Sequence, residues 1–268
     1  MWTNKQLKKN ALTVLSKTYW MSFLVCLVAI FFGGERSYVP NFNWMTPSSS
    51  NSYENTGDNG SLNGALSSEA IMVIVIVVIF VIIGLLLGIA FVTFVSSPVI
   101  CGKNRFFMCA RQGKVDFSNL FFSFKKGNYL KTVKTMFMVN LRVFLWSLLL
   151  IIPGIIKSYE YVLVPYLISE NPDMSTQRAF EISKKTMDGE KMRFFLLGLS
   201  FIGWTLLAVL TCGIGLLFLN PYLSATFAEF YACMREKAIN YGYAEPDELT
   251  DYAQEHPQEY AQDDFFNK

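Results

Sequence analysis

Apolar and polar positions alternate along this chain in long blocks. Residues 3–18 carry Leu7, Ala11, Val14, Leu15 and Thr18 at helical spacing, with Lys5, Lys9 and Lys17 elsewhere on the wheel, which predicts a basic amphipathic helix. An apolar run follows from Tyr19 to Gly34. No A-x-A pattern follows Phe32, so it reads as an uncleaved span. Residues 35–69 are rich in Ser, Asn, Gly and Pro and read as a flexible external loop. Residues 70–100 are almost unbroken apolar, about 45 Å as a helix against a hydrocarbon core of about 30 Å. That helix must tilt, kink near Pro98 or project past the interface. Further apolar runs cover about 136–156, 158–169, 193–212 and 214–234. Segments 101–135 and 170–192 are polar and amphipathic, with Phe117, Leu120, Phe121 and Phe124 in one helical stripe. The pattern predicts an all-α integral membrane protein of about six transmembrane helices, with amphipathic interface helices. Residues 1–240 form the membrane domain, and 241–268 form an acidic disordered tail.

Three blocks share one plan: an amphipathic segment, a break, then an apolar hairpin with a proline in the returning arm. The breaks fall near Lys17-Thr18-Tyr19-Trp20, at Lys126-Gly127-Asn128-Tyr129 and at Asp188-Gly189-Glu190-Lys191. The prolines are Pro98, Pro165 and Pro221. This suggests a threefold repeat of hairpin units, although any hairpin protein with interface helices shares the plan.

Composition supports the membrane class. Hydrophobic residues make up 52% and charged residues 16% of 268, too few charges to cover a soluble surface. The net charge of +2 conceals an asymmetry. Residues 1–18 hold four Lys and no acid, and residues 101–135 hold eight basic residues against Asp116 alone. Residues 235–268 hold nine acids. Basic residues collect at the inner side of membranes, so six spans place both termini in the cytoplasm. The flanking apolar spans argue against nucleic acid as a partner. In this topology only Arg36 and Lys157 of the basic residues are external, and segment 158–169 is either a full span or re-entrant.

Candidate chemistry is sparse. None of the five cysteines lies in the 35–69 loop, no C-x-x-C occurs, and the one histidine is His256, so neither a disulfide framework nor a zinc site is expected. No catalytic or nucleotide-binding motif appears, and no cofactor, metal or enzymatic activity is expected. Arg142 and Glu229 enter the apolar spans at similar depth and form a candidate intramembrane pair with Asn220 nearby; snorkelling of Arg142 is the alternative. Pro98, Pro165 and Pro221 free backbone carbonyls that line a polar cavity or are satisfied locally. Gly84 and Gly88 form a GxxxG pair that allows close helix approach. Lys157 and Glu160 suit a surface pair near the external turn. Lys125, Lys126, Lys131 and Lys134, interleaved with phenylalanines, suit contact with anionic lipid; simple topological anchoring explains them equally.

Several stretches carry a family likeness. They include Met1-Trp2-Thr3, Ile152-Pro153-Gly154-Ile155-Ile156-Lys157, Glu170-Asn171-Pro172, Met187-Asp188-Gly189, Leu199-Ser200-Phe201-Ile202-Gly203-Trp204, Gly213-Ile214-Gly215 and Pro221-Tyr222. Together they resemble the bacterial integral membrane family known as domain of unknown function 975, over about residues 1–235 and most strongly from 150 onward. The resemblance implies a polytopic helical protein of the bacterial plasma membrane and no reaction, ligand or catalytic residue. Two functions are therefore expected. The first is a non-enzymatic protein that organises anionic lipid or partner proteins, another copy of itself included, at the inner leaflet. The alternative is a transporter or channel for a small or amphipathic molecule, such as a self-protection exporter.

Overall fold

The computed structural model describes residues 2–33, 68–113, 115–124, 127–211 and 213–249. Among these residues no strand occurs. The helices are α1 (Asn4–Phe31), α2 (Ser68–Phe91), α3 (Ser97–Arg111), α4 (Tyr129–Leu149), α5 (Ile151–Glu160), α6 (Val164–Glu170), α7 (Thr176–Thr186), α8 (Lys191–Leu199), α9 (Ile202–Leu210) and α10 (Ile214–Asn240). A π-helical turn (Val92–Ser96) joins α2 to α3, and short 3-10 helices cover Phe117–Phe124 and Pro246–Leu249.

Four helical runs among the described residues are long and apolar enough to cross a membrane: Asn4–Phe31, Met72–Arg111, Tyr129–Leu149 and Lys191–Leu210. The expected spans at 158–169 and 214–234 are not among them. The first of these is divided among the end of α5, a turn and the seven residues of α6, and the second lies within the more polar α10. The 35–69 loop falls almost wholly outside the described residues, and α2 begins at Ser68.

The expected break at Lys17–Trp20 is absent, and α1 is one helix of 28 residues. Its buried face (Leu7, Ala11, Leu15, Thr18, Ser22, Val25, Cys26 and Ala29) keeps a three-to-four-residue spacing straight through that stretch. The Thr18 hydroxyl donates to the Val14 carbonyl at 3.0 Å, which satisfies the buried oxygen without leaving the helix. The Thr3 hydroxyl caps the start by accepting from the Gln6 N–H at 3.3 Å.

The long apolar helix is relieved just before Pro98. The π-helical turn carries the Ser97 N–H to the Val92 carbonyl. Proline has no N–H to offer the carbonyl four residues back, that of Phe94. The Tyr129 hydroxyl, from the first residue of α4, donates to the Phe94 oxygen instead, at 2.8 Å. Pro165 avoids the difficulty by sitting in the first turn of α6, whereas Pro221 lies inside α10 and is buried.

The second hairpin turns earlier than its sequence suggests. Leu150, at φ −158° and ψ 139°, ends α4, so Ile151–Lys157 belongs to the returning arm. Pro153 is accommodated in the first turn of α5. Gly154 permits the tight return, because a Cβ there would lie 2.4 Å from Ser147 Oγ.

The core is built around α3, which is buried on every side from Ser97 to Ala110 and packs against α1, α4, α6, α10 and the Phe117–Phe124 helix. Besides these contacts, α6 packs on α7, and α10 on α1. The chain stays anchored past Asn240, contrary to the expectation of disorder from residue 241. Ala244 and Leu249 are buried, and Pro246–Leu249 packs as a 3-10 turn. Apolar residues within an acidic segment hold it down; residues 250–268 lie outside the described residues.

Candidate functional site

The chemically richest region lies where α6, α7 and α10 meet. At the end of α6, Glu170 is 1% exposed. One oxygen accepts from Arg235 Nε at 2.7 Å and the other from the Tyr231 hydroxyl at 2.5 Å, both on α10. Tyr166 stacks on Tyr231, with ring centroids 5.0 Å apart. Burial pushes the Glu170 carboxyl above its ordinary range, against the pull of Arg235, Tyr231 and Arg105. Arg105, buried in α3, donates to the Ser169 carbonyl at 2.9 Å and lies over the Phe122 ring.

Above this cluster the chain returns as a strap, Tyr243–Leu249. Arg178 of α7 donates to both Glu248 oxygens, Nε at 2.7 Å and Nη2 at 2.8 Å, and to the Tyr243 carbonyl at 3.1 Å. Asn171 Nδ2 donates to the Glu248 carbonyl at 2.8 Å, and Arg235 Nη2 to the Leu249 carbonyl at 2.8 Å. The hydrogen bonds from Arg178 hold the Glu248 carboxyl below its ordinary range, and the same contact raises the Arg178 guanidinium. Sequence reasoning missed this site. Glu170 lies 65 residues from Arg235 and Arg178 lies 70 from Glu248, and only Glu170 drew attention as chemistry, as a lone carboxylate with no partner placed by spacing and as part of a family likeness.

The sequence-derived candidates fare unevenly. Glu229 is buried, but its partner is Arg111 at the end of α3, with Nε 3.2 Å from each carboxylate oxygen. Arg142 is exposed and places its guanidinium 4.1 Å from the centre of the Phe180 ring on α7. The expected Arg142/Glu229 pair is therefore replaced by Arg111/Glu229, because α3 rather than α4 carries the cation to α10. Asn220 is half-buried beside Pro221. Lys157 does pair with Glu160, at 2.6 Å, but not on a free surface. Glu160 is 5% exposed and also accepts from Lys191 of α8 at 2.7 Å, because α5 has carried it back to the start of α8.

Of the expected lipid contacts, Lys131 and Lys134 are exposed on α4, and Lys131 pairs with Asp173; Lys125 and Lys126 lie outside the described residues. Lys103 and Arg105, read as part of the same basic surface, are buried inside the bundle. Gly84 and Gly88 lie on the exposed α2, where a Cβ at either would meet nothing within 4 Å. Among the described residues no group of three or more His, Cys, Asp or Glu is placed to hold a metal ion.

Residues 148–238 match the model of a family described as a protein of unknown function (DUF975). The likeness seen in the sequence is thus found from the end of α4 into α10, a stretch holding Glu170, Arg178, Glu229 and Arg235. No curated protein and no solved structure matches the chain.

Proposed function

We propose that this chain is a non-enzymatic, polytopic plasma-membrane protein that organises anionic lipid or a partner protein at the inner leaflet, with both termini on the cytoplasmic side. The observation that carries this reading is the exposed face of α1. Its opposite face is buried, so the outward residues are the ones that meet the surroundings. They include Lys5, Lys9, Leu12, Thr13, Ser16 and Lys17, then Trp20, Met21, Leu24, Leu27 and Phe31. A cationic row that becomes apolar along one helix, with Trp20 at the change, matches the passage from anionic headgroups into hydrocarbon. Lys131 and Lys134 are also exposed, in the first turns of α4, with Lys131 paired to Asp173. The transport alternative rests on the suggested repeat, the three prolines and an Arg142/Glu229 pair; it loses the last, because Glu229 pairs with Arg111.

Substituting Lys5, Lys9 and Lys17 together by Gln removes about 1 kcal/mol of attraction per lysine, roughly a hundredfold in affinity for anionic lipid. Native mass spectrometry of the purified chain should show co-purified phosphatidylglycerol lost in this variant and retained after Lys184→Gln. Equal lipid retention in both would refute the lipid reading.

A further inference from the structure

We propose that the crevice formed by Asn171, Arg178 and Arg235 is an anion-recognition site held shut by the chain's own strap, and that a phosphate group takes the place of Glu248 when the strap lifts. The argument rests on how donors and acceptors are divided. The side-chain hydrogen bonds from the bundle to Tyr243–Leu249 described above are all donated by these three residues to strap oxygens, while the Tyr243 and Ala244 N–H groups donate back to the Ala238 carbonyl of α10. Lifting the strap removes the acceptors that Arg178 Nε and Nη2, Asn171 Nδ2 and Arg235 Nη2 have on it.

Each arginine is also braced from behind. Arg235 Nε is held by the buried Glu170, and Arg178 Nη1 lies 3.3 Å from Glu181. Their remaining donors are therefore fixed in direction before anything binds. Arg178 grips the Glu248 carboxylate with two parallel N–H bonds, a fork geometry that fits phosphate as well as carboxylate. Glu248 is thus an internal stand-in for the ligand.

The strap is built to leave. Glu245, Pro246 and Asp247 are exposed, and Ala244 and Leu249 are its buried apolar anchors. The Glu248 carboxylate also accepts from the Glu245 N–H at 2.9 Å, so the turn keeps its own shape when detached. The phosphate can come from a lipid headgroup or from solution. The lipid source rests on the reading given above; the soluble source does not.

The test uses the full-length chain in nanodiscs and follows backbone hydrogen exchange in residues 243–249, with exchange in α10 as the check on global folding. One arm compares phosphatidylcholine discs with discs containing phosphatidylglycerol. The other adds inorganic phosphate to phosphatidylcholine discs against chloride at equal ionic strength. Losing charge-assisted bonds to Arg178 should speed strap exchange about tenfold or more when anion binds. Glu248→Gln should exchange fast without anion and should broaden the phosphorus NMR line of added phosphate. Glu248→Gln with Arg178→Ala should not broaden it. A response to phosphatidylglycerol alone assigns the site to headgroups, and a response to both anions assigns it to phosphate in general. Strap exchange indifferent to both anions in the unsubstituted chain overturns the proposal, whether or not Glu248→Gln folds. Lipid retained on neutralising Lys5, Lys9 and Lys17, with the phosphate response intact, marks failure of the lipid reading alone; lipid lost, with no strap response to either anion, marks failure of this one alone.

Discussion

Single residues carry some of the sharpest constraints in this fold. A Cβ on Gly102 would lie 1.8 Å from the Leu120 carbonyl oxygen, so Gly102→Ala must push the Phe117–Phe124 helix off α3. Overpacking of this kind costs about 1–3 kcal/mol, and the variant should melt lower in a detergent thermal scan. Arg111→Ala leaves Glu229 buried and uncompensated, a loss of about 3–5 kcal/mol, whereas replacing both partners by leucine should recover most of it. Acid acts on the strap in a definite direction. The Glu248 carboxyl sits below its ordinary value near 4.5, so its contribution is complete above that value and is lost as pH falls through the lowered one. Glu170 is shifted the other way, so its contribution declines as pH rises above 4.5 and is flat in the acid window. Strap protection, taken relative to the intrinsic exchange rate at each pH, should therefore fall below pH 4.5 in the unsubstituted chain and not change there in Glu248→Gln. At this scale the sequence marked Glu229 as a buried charge but assigned it the wrong cation. Depth along a span ranks candidates; it does not say which helix faces which.

At the scale of elements the hydrophobic pattern was a good guide to where helices lie and a poor one to where they stop. The break expected near Thr18 does not occur, because a threonine that bonds its own helix looks polar in sequence and is silent in structure. The turn at Leu150 was invisible because the residues on both sides are equally apolar. Pro98 is the reverse case: the expected kink has a specific local remedy. Tyr129→Phe strips the donor from the Phe94 carbonyl and should cost about 1–3 kcal/mol. In a Pro98→Ala background residue 98 regains an N–H that reaches the same oxygen, so the cost of Tyr129→Phe should shrink toward zero. A double-mutant cycle on thermal stability measures that coupling, and additive losses would contradict it.

For the molecule as a whole, the apolar helices and the family likeness were readable from the chain, while the central role of α3 was not. A segment with Lys103, Asn104 and Arg105 in succession reads as surface, yet five elements enclose it. What made it look exposed is the charge, and what buries it is the convergence of α1, α4, α6, α10 and the Phe117–Phe124 helix, a long-range property. The packing of α1 on α10 joins the first helix to the last one. Leu7 is 1% exposed in that arrangement, and Leu7→Ala should cost about 2–5 kcal/mol by chemical denaturation. The same arrangement governs how the protein is made. Roughly 180 residues separate the end of α1 from the start of α10, which at about 5–20 residues per second is about 10–40 s of translation. Throughout that interval the face of α1 that meets α10 lacks its partner, although α3, another neighbour, is made well before α10. The nascent chain must be sheltered by the insertion machinery or by transient helix pairs, and its architecture can close only after synthesis has nearly finished.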